Sequence, residues 1–268
     1  EDPCLPRYRT MVAAHGGEVV PVPVDDDGIR VDELVAADPD VVVLTPAHQF
    51  PTGVTLAGDR RRELVAWAHH HDRLLVEDDY DAEFRYEPSP PGALQPLAPD
   101  HVAYAGTLSK TLAPGLRLGW LVLPEWLVGG VIDAKRAAGA ESSVLDQLAF
   151  AEFVRSHRYD RHLRRMRALF RRRRDRFLAA LDAGVPHLKV SRTRAGVHLV
   201  VELPDGGPGE SDVLAVARQA GVGLFGLQPC WHGTPRSQGV MVGFGRPPEH
   251  AVDDAVHGLV HVLDRATR

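Results

Sequence analysis

Three short stretches of this chain carry side chains able to do chemistry together. The first is Thr45-Pro46-Ala47-His48-Gln49-Phe50-Pro51-Thr52-Gly53, and the second is Glu77-Asp78-Asp79-Tyr80-Asp81. The third is Gly106-Thr107-Leu108-Ser109-Lys110-Thr111, followed by Pro114-Gly115-Leu116-Arg117-Leu118-Gly119. Between them they offer carboxylates, a phenol, hydroxyls, an amine and a guanidinium. Lys110 stands out because only three of the 31 basic residues are lysines; the rest are arginines, a bias that codon composition explains.

A lysine amine can condense with an aldehyde to form a Schiff base. A carboxylate such as Asp78 beside a pyridine nitrogen keeps that nitrogen protonated, so that the ring acts as an electron sink. At about 3 Å and an effective dielectric near 20, such a pair is worth roughly 5 kcal/mol before desolvation. A phosphate needs hydroxyls, backbone amides and a guanidinium, which Thr107, Ser109 and Arg117 supply. These are the requirements of pyridoxal 5′-phosphate (PLP). Taken singly, each residue has a plainer explanation: Ser109-Lys110 as solvated surface, Asp78-Asp79 as a helix cap, Arg117 as a surface ion pair. The joint spacing is what favours the cofactor.

These stretches need elements to position them. The sequence predicts a helix over 8–15, a strand over 18–24 closed by Asp25-Asp26-Asp27-Gly28, and a short helix over 31–36. Val41-Val42-Val43-Leu44 is a continuous apolar β-branched run, expected to be a strand buried on both faces. A helix follows over 59–71, then a buried strand from Arg73 leading into Glu77. A proline-rich loop covers Pro88–Pro99, with further strands over 102–105 and 118–123. The three chemical stretches therefore fall at strand ends, where ligands collect in α/β sheets. After about residue 140 the composition shifts. Helices are expected over 143–156, 159–181, 210–220 and 253–266, with strands at 200–201 and 240–244. The pattern implies an α/β fold with a mostly parallel sheet and helices on both faces, plus a smaller C-terminal α+β domain. The expected domains are 1–158, the large domain, and 159–268, the small one.

The 268 residues are 44% hydrophobic and 25% charged, ordinary for a globular chain. No apolar run approaches a membrane span of ~18 residues, and Glu1-Asp2-Pro3 is no signal peptide. A net charge of −5 argues against a diffuse positive surface for nucleic acid. Two cysteines, Cys4 and Cys230, suggest a reducing compartment and a cytoplasmic location. Metal-binding readings of His69-His70-His71, of His257 with His261, and of the acidic run 77–83 are weighed and set aside, so no metal is expected. The nine arginines between Arg161 and Arg176 are interrupted by Leu163, Met166, Leu169 and Phe170 at helical spacing, which makes them the solvated face of a core-facing helix.

The motif Ser109-Lys110 with Arg117 seven residues on resembles the lysine motif of fold-type I PLP-dependent aminotransferases. More narrowly, the chain resembles the aminotransferase-like domain of MocR-type regulators of the GntR family. That likeness rests on Thr-Pro-x-His-Gln-Phe-Pro-Thr-Gly at 45–53, Glu-Asp-Asp-Tyr-Asp-x-Glu-Phe-Arg-Tyr at 77–86, Gly-Thr-x-Ser-Lys at 106–110 and His-Leu-Arg-Arg-Met-Arg at 162–167. The resemblance implies that Lys110 forms the Schiff base, Asp78 pairs with the pyridine nitrogen and Tyr80 reaches the ring's phenolic oxygen. It further implies that Thr107, Ser109 and Arg117 hold the phosphate, with His48 and Gln49 lining the site, and that the protein is a homodimer.

Three departures from the family pattern follow. No helix–turn–helix domain, Gly-containing phosphate loop or ring-stacking aromatic is found from Glu1 on, so no DNA-binding module and an incomplete wall of the cofactor site are expected in this chain. Phe50 stands where ordinary aminotransferases have asparagine, as in the MocR group. Met241 stands where they have a carboxylate-clamping arginine. Two roles are then open: a sensor of an amino compound or of PLP, and a transaminase if active, including a free-standing aminotransferase. A degenerate dimerisation module without cofactor is the alternative of a different class.

Overall fold

The computed structural model describes residues 1–81, 83–86 and 91–267. Ala82 of the acidic motif and Pro88–Pro90 of the expected proline-rich loop lie outside them. In chain order the elements are α1 (Pro6–Ala14), β1 (Val24–Asp25), β2 (Gly28–Ile29), α2 (Val31–Ala37), β3 (Val41–Leu44), α3 (Gly58–His71), β4 (Leu74–Asp79), β5 (Val102–Thr107) and β6 (Gly119–Val122). Then come α4 (Glu125–Ala137), α5 (Val144–Arg155), α6 (Arg158–Gly184), β7 (Lys189–Val190), β8 (His198–Glu202), α7 (Glu210–Gln219), β9 (Phe225–Gly226), β10 (Gly239–Gly243) and α8 (Val252–Thr267). Contacts group these into two compact units that are each discontinuous in sequence.

The first unit comprises Glu1, 22–49 and 54–167. Its sheet runs β3-β4-β5-β6, with the first two pairings parallel and β6 antiparallel at the edge. Strand side chains alternate between faces. Val42, Leu44, Leu75 and Val102 point to one face, where they meet Leu34 of α2 and Leu64, Trp67 and Ala68 of α3. Positions 64, 67 and 68 share one helical stripe, which is why α3 lies flat on that face. Leu44, Leu64 and Leu75 are fully buried, each worth about 2 kcal/mol relative to exposure. Helix α3 stops at Asp72 in the left-handed conformation (φ 51°), whose N–H returns to Ala68 O.

The opposite face of the sheet is less covered. Val41 is exposed, and Val43, Val76, Asp78, Ala105 and Thr107 are half-buried. The expectation that β3 is buried on both faces is therefore corrected: Val42 and Leu44 enter the core, whereas Val41 is exposed and Val43 half-buried. The expected strand over 18–24 is also corrected, because pairing begins at Val24 and is made with Ile29 across the Asp26-Asp27 turn. Pro21 and Pro23 have no N–H to contribute to a ladder. Helix α4 lies in a stretch where no element is expected from the sequence.

The second unit comprises 2–21, 50–53 and the chain from Ala168 on. Its four-stranded sheet, ordered β7-β8-β10-β9, is antiparallel throughout. Helix α8 turns Val252, Val256, Leu259, Val262 and Leu263 inward, and α7 contributes Val213 and Ala217. Buried Glu210, at the start of α7, accepts the Leu227 and Gln228 N–H groups at 2.9 and 3.0 Å. The N-terminal segment belongs to this unit: Arg9 donates to the carbonyls of Cys230 and Pro229, and Asp2 accepts the His232 N–H at 2.8 Å.

Candidate functional site

The carboxyl ends of β4 and β5 lie side by side, with Asp78 in register with Ala105 and Asp79 with Gly106. Alternation puts Asp78, Ala105 and Thr107 on the half-buried face and Glu77, Asp79 and Gly106 on the core face. A carboxylate and a hydroxyl from neighbouring strands thus share one half-buried face, with Ala105 at the register position beside Asp78.

Beyond Thr107 the chain turns sharply. Thr107 Oγ1 donates to Ser109 Oγ at 2.9 Å and accepts the Ser109 N–H at 3.2 Å, a local hydroxyl turn. The Leu108 N–H meets Leu118 O at 3.0 Å, closing a loop whose two ends are pinned by buried Leu108 and Leu118. Lys110 and Arg117 lie within that loop, and both are exposed. Arg117 is left-handed (φ 53°), a strained conformation for an arginine and a recurrent one at ligand sites.

The loop is held from α6. The Tyr159 hydroxyl donates to Thr111 Oγ1 at 3.1 Å, and His162 Nε2 lies 2.7 Å from Thr111 O. Burial pushes the Tyr159 phenol up from its ordinary range. These two supports of the lysine loop were missed as functional residues by sequence reasoning; the only signal was His162 inside the His-Leu-Arg-Arg-Met-Arg motif.

The first stretch forms a buried polar corner. His48 and Gln49 are each 1% exposed. His48 Nδ1 lies 2.8 Å from Asp81 Oδ2 and 2.9 Å from the Tyr80 hydroxyl, which also donates to His48 O at 3.0 Å. Gln49 donates through its N–H to Val54 O at 2.8 Å. Thr45 donates through both its N–H and its hydroxyl to Glu1 Oε2, at 2.9 Å each. In the second unit, the Phe50 ring stands edge-on to His198 at 5.7 Å, and Met241 is in register with Val200.

The core face of the sheet carries a second set of charges. Asp79 accepts from Arg85 at 2.9 Å and from the Tyr104 hydroxyl at 3.2 Å. Glu77, fully buried, accepts the Leu94 N–H at 2.9 Å and the Gln95 N–H at 3.1 Å. Burial raises both carboxyls above their ordinary values; for Asp79 the Arg85 charge pulls the other way. This set ties the chain from 91 to 97 to the strands and faces away from Asp78.

The half-buried face and its loop supply an amine, a carboxylate, paired hydroxyls and a guanidinium. That donor set fits a phosphorylated pyridine aldehyde: one group for each of its aldehyde, ring nitrogen and phosphate. Among the described residues no group of three or more His, Cys, Asp or Glu is placed to hold a metal ion.

The fold is that of the class I and II aminotransferases. The family model for aminotransferase class I and II matches residues 1–216, and the chain belongs to that family. The uncharacterized HTH-type transcriptional regulator YdeL of Bacillus subtilis is 32% identical over 263 residues, covering 97% of this chain and 56% of YdeL. The probable rhizopine catabolism regulatory protein MocR of Rhizobium meliloti is 31% identical over 262 residues, 97% of this chain and 53% of that protein. The chain thus spans about half the length of these curated relatives. Among solved structures, Pyrococcus horikoshii kynurenine aminotransferase, crystallised in complex with PMP, matches with a TM-score of 0.87 at 27% identity, over 98% of this chain and 68% of that one. The fold-type I architecture and the resemblance to MocR-type regulators are both borne out.

Proposed function

We propose that this chain is the PLP-binding, aminotransferase-like domain of a MocR-type transcription regulator, and that it senses a small amino compound. Lys110 holds the cofactor covalently as a Schiff base, Asp78 keeps the ring nitrogen protonated and Tyr80 serves the phenolic oxygen. Thr107, Ser109 and Arg117 hold the phosphate. The bound cofactor supplies an electron sink for the bonds around an amino-bearing carbon. The observation that carries this reading is the placing of Asp78 and Thr107 on one accessible face, with the closed 108–118 loop presenting Lys110 and Arg117 beyond it.

Sensing is favoured over turnover by Met241, an apolar side chain where a transaminase of this family clamps its substrate's carboxylate. A homodimer, and a DNA-binding segment of the kind implied by the names of the curated relatives, complete the proposal. Cys4 and Cys230, both buried and not joined in a disulfide, support a reducing, intracellular setting. No helix among the described residues is long and apolar enough to cross a membrane.

Adding PLP to the purified chain and dialysing tests the proposal. The wild type is expected to keep a visible absorbance band that Lys110→Ala lacks; identical spectra would overturn it. A panel of amines and keto acids then separates the roles: amino-group transfer would make the domain an enzyme, and its absence fits a sensor.

A further inference from the structure

His48, Tyr80 and Asp81 share three short hydrogen bonds whose directions follow from which atoms can only accept. His48 and Asp81 are each 1% exposed, so solvent does not compete for their bonds. An ionised carboxylate can only accept a hydrogen bond. Asp81 Oδ2, 2.8 Å from His48 Nδ1, therefore requires the hydrogen on Nδ1. Tyr80 Oη stands 2.9 Å from the same nitrogen and so receives from it rather than giving to it. The phenol's own proton goes instead to the His48 carbonyl, 3.0 Å away, which also can only accept.

We propose that Asp81 is a positioning residue: it fixes the Nδ1–H tautomer of His48 and so keeps the Tyr80 proton directed away from the imidazole ring. The inference rests on the cofactor reading above for its consequence. With Nδ1 carrying its own hydrogen, the ring offers Tyr80 no acceptor, and the phenol proton rests on the His48 carbonyl, from which it can turn to the phenolic oxygen of PLP. If Asp81 were asparagine, its amide N–H could donate to Nδ1. The neutral ring would then carry its hydrogen on Nε2, and the single Nδ1 lone pair would be shared between the amide and the Tyr80 phenol.

Two measurements test this. The first needs no cofactor and no variant: nitrogen NMR of histidine-labelled protein, with His48 assigned through its couplings. A protonated Nδ1 is expected; an unprotonated Nδ1 would overturn the proposal. The second follows the visible band of the PLP-loaded protein against pH. A phenol donating to the cofactor's phenolate stabilises the deprotonated linkage, so its loss raises the midpoint, by about one pH unit for one hydrogen bond to a charged group. Asp81→Asn is expected to raise the midpoint in the same direction as Tyr80→Phe. In the Tyr80→Phe background, Asp81→Asn should shift it no further. A band whose midpoint ignores Asp81→Asn, or a shift that persists without the phenol, would contradict the positioning role. Absence of any band in the wild type would instead count against the cofactor reading, leaving the tautomer measurement to decide this one.

Discussion

Asp78 and Asp79 are neighbours in sequence and face opposite sides of one strand's sheet. Asp78 shares the accessible face with Ala105 and Thr107, whereas Asp79 is buried on the core side against Arg85 and Tyr104. One residue of register therefore separates a half-buried carboxylate, the one proposed to face the cofactor, from a buried one that holds the fold together.

Substitutions at the two positions should separate accordingly. Asp78→Asn keeps the shape of a half-buried side chain and is expected to change stability by less than about 1 kcal/mol, while abolishing the protonation of the ring nitrogen. Asp79→Ala leaves the Arg85 guanidinium, 15% exposed, without its carboxylate, and is expected to cost about 3 kcal/mol. Urea melts and PLP titrations of both variants measure this. Equal destabilisation by the two would contradict the assignment of faces.

Glu77 gives a pH-dependent prediction. Its folded pKa is raised above the ordinary 4.5 by burial. The folded chain then holds this proton to higher pH than the unfolded chain does. The associated stability is present in full below the ordinary value and is lost as pH rises through the raised one. Glu77→Gln removes the ionisation but keeps an acceptor for the Leu94 and Gln95 amides, so its stability relative to the wild type should improve across that rise. Glu77→Ala leaves both amides unpaired and is expected to cost about 3 kcal/mol at pH values below that rise. Denaturant melts across this range read both effects; a Glu77→Gln difference that is flat with pH would contradict the burial argument.

Gly106 sits under Trp120, its register partner on β6. A Cβ there would come 2.3 Å from the indole ring. Gly106→Ala must displace the indole, and a cost of about 1–2 kcal/mol is expected, with altered tryptophan fluorescence. Because the clash is specific to the ring, adding Trp120→Ala should recover most of that loss. No recovery in the double variant would show that the strand, and not the indole, is what refuses the methyl group.

Much of this was legible in the sequence for a physical reason. Val41–Leu44, the run into Glu77 and the run into Thr107 are short apolar strands ending in polar residues, so the strand ends and their chemistry could be read locally. The fold class followed from the alternation of those strands with helices. Other features were not local. Helix α4 was hidden by Gly129-Gly130, which carry low helix propensity and no apolar signal. Pro21 and Pro23 sit in a run whose valines read as strand. The bonds from His48 to Asp81 and from Tyr159 to Thr111 join residues 33 and 48 apart, and no periodicity reports such pairings. The division of Asp78 from Asp79 likewise depends on which face the helices cover.

Lys110 is one of three lysines, with Lys135 and Lys189, so covalent attachment can be located without ambiguity. The PLP-loaded chain is reduced with borohydride, digested, and its lysine peptides are weighed. A phosphopyridoxyl mass on the peptide containing Lys110, absent from the Lys135 and Lys189 peptides, is the expected result. Label spread over all three lysines, or none at Lys110, would contradict the account.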